Sequence, residues 1–212
     1  FMYFILFIWR FDNNKESTKR KKTRIVYCKY GGLSMIYMSL GSQPVVSSVL
    51  KDCSLNSNAN IFDNVGELSF ETLTKCLNNQ FKYLFPIESD LRIYGGTANV
   101  INGTPYTLIK DKRNGTIFYD ALPLGQKLSN VYGGVKVRYE KLALNFIDTI
   151  KKERTVVFVR QMFDENSTDT IELSNTLKYI FPACKFYLKH EYAGLQEAKC
   201  YDYWKQELCR GK

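Results

Sequence analysis

The segment Ser39-Leu40-Gly41-Ser42-Gln43-Pro44 has the setting of a nucleophile site without a nucleophile. The apolar run Met35-Ile36-Tyr37-Met38 leads into a glycine-containing turn, and a helical pattern opens at Pro44 and continues through Val45, Val46, Val49 and Leu50. A Cys or Ser at such a strand-to-helix turn is favoured chemically, because the helix N-terminus stabilises a thiolate or an oxyanion. Here the turn presents Gln43 and Pro44. The cysteines stand elsewhere, at 28, 53, 76, 184, 200 and 209, with no C-x-x-C pair, so zinc and dithiol redox motifs lack support. In a chain long enough for a large core they read mainly as reduced thiols. Tyr94-Gly95-Gly96 and Tyr132-Gly133-Gly134 match no phosphate-loop spacing, and N-x-T triplets at Asn102, Asn114 and Asn166 are too common by chance to establish secretion.

The elements that must position these residues follow from periodicity. A strand ends at Ser39 and a helix starts at Pro44, where the missing proline N–H costs nothing. Ser69 is placed as an N-cap, with Phe70, Leu73, Leu77, Phe81 and Leu84 on one face of the helix after it. Asn102-Gly103 and Asn114-Gly115 are hairpin signals that set a central antiparallel meander through Ala98–Ile101, Tyr106–Ile109 and Thr116–Tyr119. A long amphipathic helix is marked by Val135, Tyr139, Leu142, Phe146 and Ile150. Thr155–Val159, a helix from Asp169 to Ile180 and Lys185–Leu188 form a strand–helix–strand unit expected to be parallel. The tail from Glu197 to Leu208 reads as a helix with Tyr201, Trp204 and Leu208 inward. The class is α/β (α+β): one domain, a mixed sheet and helices packed on it.

Charge separates a short arm from that domain. The chain has 212 residues and a net charge of +9, of which residues 1–33 carry +6. Lys19, Arg20, Lys21, Lys22 and Arg24 follow the apolar stretch Phe1–Trp9. That arrangement reads either as the end of a membrane anchor with a basic stop, which would place the domain on the cytosolic side, or as a buried element with a solvated linker. The basic cluster is the candidate contact for an anion or a membrane surface. A nucleic-acid-binding fold more often spreads its cations over one folded face, so nucleic acid is expected, if anywhere, only at the arm. The domain is set at 34–212, with no cofactor implied.

Several segments agree with one family pattern. Ser39-Leu40-Gly41, Ile61-Phe62-Asp63-Asn64, Phe81-Lys82-Tyr83-Leu84-Phe85, Phe118-Tyr119-Asp120, Val137–Leu142, Val156–Arg160 and Pro182–Leu188 occur in the order of the family described as putative papain-like cysteine peptidases, found in bacteria and large DNA viruses. The chain resembles that family over roughly residues 34–190. The resemblance implies a Cys after the S-L-G motif and a His before the Asp of the F-x-H-D strand. Those positions hold Pro44, or Gln43 with a one-residue shift, and Tyr119. A cysteine peptidase needs a thiolate, a His and a group that orients it. Neither Gln nor Pro forms an acyl-enzyme, and an ordinary Tyr with a pKa of about 10 is a poor base. Asp63 and Asp120 remain as the acidic partners the resemblance implies.

Position bears on which other residues could fill the missing roles. Cys53 ends the first helix, where the dipole disfavours a thiolate, and His190 is the chain's only histidine. Asp63 with Asp120 would suit acid–base work or a cation; the structural expectation is a turn cap at Asp63 and a buried hydrogen bond at Asp120. Arg160 would bind a carboxylate or phosphate, or pair with a neighbouring acid. Three functions stay open: an inactive papain-like domain acting as a binding or structural component with protein partners, within a viral assembly or virion; an active hydrolase with a relocated nucleophile such as Cys53 with His190; and a membrane-tethered interaction protein that works through its arm.

Overall fold

The computed structural model describes residues 35–55, 59–82, 84–101, 103–152, 155–161, 167–191 and 197–209, all within one compact unit. The arm expected at 1–33, including Phe1–Trp9 and Lys19, Arg20, Lys21, Lys22 and Arg24, lies outside these residues.

Two sheets organise the fold. The first is parallel, in the order β1 (Ile36–Ser39), β6 (Thr155–Gln161), β7 (Lys185–Glu191). β6 is the middle strand, and its β-branched run is buried along its length, as a strand covered on both faces requires. Its side chains alternate. Val156 and Phe158 enter one core, while Val157 and Val159 enter another beneath α1 (Pro44–Asp52) and α5 (Glu197–Cys209). The second sheet is antiparallel, in the order β2 (Val65–Gly66), β5 (Ile117–Pro123), β4 (Thr104–Asp111), β3 (Leu91–Ile101). The expected meander and strand–helix–strand unit are both present, with α4 (Ser167–Ile180) between β6 and β7.

The larger core joins the two sheets. It takes Leu73 and Leu77 from α2 (Phe70–Asn78), Tyr139, Ala143, Phe146 and Ile150 from α3 (Leu128–Lys152), and Leu173 and Leu177 from α4. An aromatic triangle stands at its centre: Phe62, Phe81 and Phe146, with ring centroids 5.1–5.6 Å apart and edge-to-face geometry. Such pairs are favoured by the ring quadrupoles, and they absorb much of the chain's high aromatic content.

Three expectations of the fold need correction. The helix after Ser69 ends at Asn78 rather than near Leu84. Gln80 N donates to Leu77 O and Phe81 N to Cys76 O, with φ of +50° at Gln80, which closes the helix with a left-handed turn. Phe81 and Leu84 still reach the core, from the turn rather than from the helix. β3 begins at Leu91, well before Ala98. Cys53 and Cys209 are joined in a disulfide, with Cα atoms 5.8 Å apart. The two residues close α1 and α5, and the packing of those helices over Val157 and Val159 brings their ends within bridging distance.

Candidate functional site

Pro44 is the first helical residue of α1, and Gln43 is its N-cap in extended conformation without a side-chain capping bond. Gly41 and Ser42 precede them with φ of +79° and +78°. Glycine takes that conformation freely, whereas serine does so only under constraint. The constraint is visible. Leu40 N donates to Val159 O, Gly41 N donates to Ser39 Oγ, and Glu67 N donates to Ser42 O at 3.1 Å. Arg160, fully buried, donates from Nη1 to Leu40 O at 2.9 Å and from Nη2 to Leu68 O at 2.7 Å. It therefore staples the turn to the end of the β2 segment. The buried Ser42 Oγ has no hydrogen-bond partner.

The stretch from Asn60 to Glu67 links this turn to β5. Asn60 Nδ2 donates to Ser39 O at 2.7 Å, and Asn60 N donates to Asp63 Oδ2 at 3.1 Å. Lys51 Nζ stands 3.5 Å from Asp63 Oδ2, and Ser47 Oγ donates to Asp63 O. Pro44, Ser47 and Lys51 share one face of α1, so Asp63 lies along the face that begins at Pro44. Burial raises the Asp63 pKa against the pull of Lys51, and the nearby charge of Asp120 pushes the same way as burial. Asp63 Oδ1 has no partner.

On the other side, β5 departs from regular pairing. Ile109 of β4 faces Phe118 and Thr107 faces Leu122, so three residues of β5, 119–121, oppose Leu108 alone. This is a bulge, a device that re-aims side chains and recurs beside active sites. Within it Tyr119 N donates to Asn64 O at 3.0 Å. The Tyr119 ring covers Gly66 so closely that a Cβ there would stand 2.6 Å from its Cε2. Asp120 is held by three of the chain's own donors. Oδ1 accepts from Tyr139 OH at 2.7 Å and lies 3.1 Å from Arg138 Nη2, while Oδ2 accepts from Asn64 Nδ2 at 3.0 Å. Burial and this carboxylate hold the Tyr139 pKa well above its ordinary value.

The segment 60–67 thus contacts the Ser39–Ser42 turn through Asn60 and Glu67, and Tyr119 with Asp120 through Asn64 and Gly66. Strand, turn, helix and bulged strand converge in the order the sequence motifs have. A family model described as putative papain-like cysteine peptidase (DUF1796) matches residues 35–183. The chain belongs to this family. No curated protein and no solved structure matches it. The match includes β1, the turn, α1, the Asp63 segment, β5 and β6, and it stops before β7 and α5.

Within this papain-like domain the described cysteines are disulfide-bonded, buried or raised above the ordinary thiol pKa. Cys53 is buried and disulfide-bonded, which removes it as a relocated nucleophile. Burial pushes the Cys76 thiol up to about 12 and raises Cys184 as well. Cys200 is buried against Gln161. His190 falls inside β7, opposite Arg160, rather than after the last strand. Among the described residues no group of three or more His, Cys, Asp or Glu is placed to hold a metal ion, and no helix is long and apolar enough to cross a membrane.

A concavity of about 350 Å³ opens between α3 and the β4–β5 hairpin, lined in part by Tyr106, Asp120, Asn130, Gly134, Val135 and Arg138. Gln43, Pro44, Asp63 and Tyr119 do not line it. Sequence reasoning missed the roles of Asn60 and Asn64, the residues that tie the site together. Their signal was weak, since a polar residue in an Asn-rich loop reads as a turn former. It also missed the strain at Ser42, for which the Gly41-Ser42 pair before a helix-starting proline was the available clue.

Proposed function

We propose that this papain-like domain has lost cysteine-peptidase chemistry and works as a binding or structural component. The observation that carries the reading is paired. A proline opens α1 where the family pattern puts its Cys, and Tyr119 packs over Gly66 where the pattern puts its His. The surrounding groups support it, because Asp63 is held by Lys51 and Asn60, and Asp120 is held by Tyr139, Arg138 and Asn64. None of these carboxylates has a described imidazole to orient.

The test is a thiol-directed acylating substrate probe applied to the folded chain, followed by mapping of labelled residues. No cysteine should be labelled at a substrate-dependent rate. Labelling that stops when one cysteine is replaced overturns the proposal. A viral source, with the domain as an accessory part of a larger assembly, extends the same reading. It rests on the lean toward Lys, Asn, Ile, Tyr and Phe and on the family's occurrence in large DNA viruses. Finding the chain at fixed stoichiometry in purified particles would support it, and finding it only outside them would end it.

A further inference from the structure

We infer that the concavity beside α3 is a binding site for a carboxylate carried on a small apolar body. α3 keeps two adjacent glycines, Gly133 and Gly134, inside its helical span. Neither has positive φ, and a Cβ at either would meet nothing within 4 Å. Glycine weakens a helix relative to alanine, so these positions are costly and nothing within the described chain requires them. What they provide is bare backbone at the concavity, where Gly134 forms part of the wall. The walls on either side are apolar: Ala121 and Pro123 from β5, Val131 and Val135 from α3.

The polar inventory selects the ligand. Asp120 lines the concavity, but its carboxylate oxygens already meet three donors of the chain. It is neutralised by Arg138 and has little left to offer a cation. Arg138 uses only Nη2 in these contacts, leaving Nη1 as a donor on a half-exposed guanidinium. Asn130 adds an amide N–H₂ and Tyr106 a hydroxyl. Lys127, just before α3, and Lys141 within it are exposed and fall on the helical face that carries Val131, Gly134 and Arg138. The remaining capacity is thus to donate hydrogen bonds in a positive field, which suits a carboxylate. The volume admits one small side chain or ligand body. A peptide C-terminus and a free amino-acid derivative share that chemistry. The inference goes beyond the binding role proposed above and does not depend on it, since a catalytically active domain could hold the same ligand.

Titration of the folded full chain with N-acetylvaline, with N-acetylvaline amide and with an acetylated tripeptide ending in free valine tests it, read by calorimetry and amide chemical shifts. The acids should bind at least about tenfold tighter than the amide, with shifts centred on residues 130–138. A tripeptide at least about tenfold tighter than N-acetylvaline identifies a peptide terminus as the source, and equal affinity identifies a small acid. Arg138→Gln should abolish the preference for acid over amide. Because that variant also disturbs Asp120, Gly134→Leu is the second arm. It should fill the concavity and abolish binding while leaving the thermal midpoint unchanged or higher. Equal binding of acid and amide, no binding of either, or undiminished binding by Gly134→Leu overturns the inference.

Discussion

At the scale of single residues, the site is defined by what its groups are bonded to. Asp63 is an ionisable group held where water cannot reach it, and its folded pKa lies above the ordinary 3.8 because burial outweighs Lys51. The sign of the linkage follows. The folded chain binds the Asp63 proton more tightly than the unfolded chain, so this group's contribution to stability falls as pH rises from about 3.8 through the folded value. Asp63→Asn should remove that slope. Denaturant midpoints of the variant and parent, compared from pH 3.5 upward, should diverge in the variant's favour as pH rises through the window. A slope unchanged by the substitution would place the titration elsewhere. Pro44 invites the complementary experiment. Pro44→Cys would put a thiol at the first turn of α1, where the helix N-terminus lowers its pKa below the usual value of about 8.5. At pH 7 it should react with iodoacetamide faster than Cys76, which burial holds near 12. It should form no turnover-competent acyl-enzyme, since no described His stands beside it. Reactivity no greater than that of Cys76 would mean that the turn does not present its first helical residue productively.

At the scale of elements, the β2–β5 pairing and the β5 bulge decide where Tyr119 points. Val65 pairs with Phe118 and Gly66 with Ile117, so the Tyr119 ring falls across the glycine that lacks a side chain. Gly66→Ala would force a Cβ to within 2.6 Å of Tyr119 Cε2, where one of the two must move. The cost should be about 1–3 kcal/mol, the range for overpacking a well-filled site. Adding Tyr119→Ser should recover most of it, giving a coupling energy of about 1 kcal/mol or more in a double-mutant cycle. Additive losses would show that Tyr119 does not lie over Gly66. The sequence revealed these elements unevenly. Asn102-Gly103 and Asn114-Gly115 announced the hairpins because their chemistry is local, and the run Val156–Val159 announced a buried strand because both its faces are covered. The end of α2 was hidden, since Phe81 and Leu84 keep helical spacing while Gln80 turns the chain left-handed. The bulge at 119–121 was also hidden, because a bulge is a property of two strands and only one of them is read at a time.

At the scale of the whole molecule, the family match and the architecture divide the chain in an informative way. Residues 35–183 match the papain-like family, whereas α5 lies beyond them and packs with Val46, Val49 and Leu50 of α1. The identity of the fold was legible because its motifs recur in order. The attachment of α5 was not, because six cysteines allow many pairings and spacing alone selects none. Contacts that fix it include the Cys53–Cys209 disulfide, a hydrogen bond from Tyr201 OH to Asp52, and one from Trp204 Nε1 to Gln161 Oε1. The disulfide spans 156 residues of sequence. Closing so long a loop in the unfolded chain removes entropy equivalent to about 5 kcal/mol, although measured values are typically about 2–4 kcal/mol. Replacing both cysteines by serine should therefore lower unfolding stability by about 2–4 kcal/mol, and reductant should have no further effect on that variant. Buried Trp204 and Leu208 should keep α5 docked at low denaturant, so the near-ultraviolet signal of Trp204 should persist until the main transition. Loss of that signal well before global unfolding would show that the cross-link, and not the apolar face of α5, holds the helix on α1. Equal stability of the variant and the parent in the absence of reductant would show that the two cysteines are not joined.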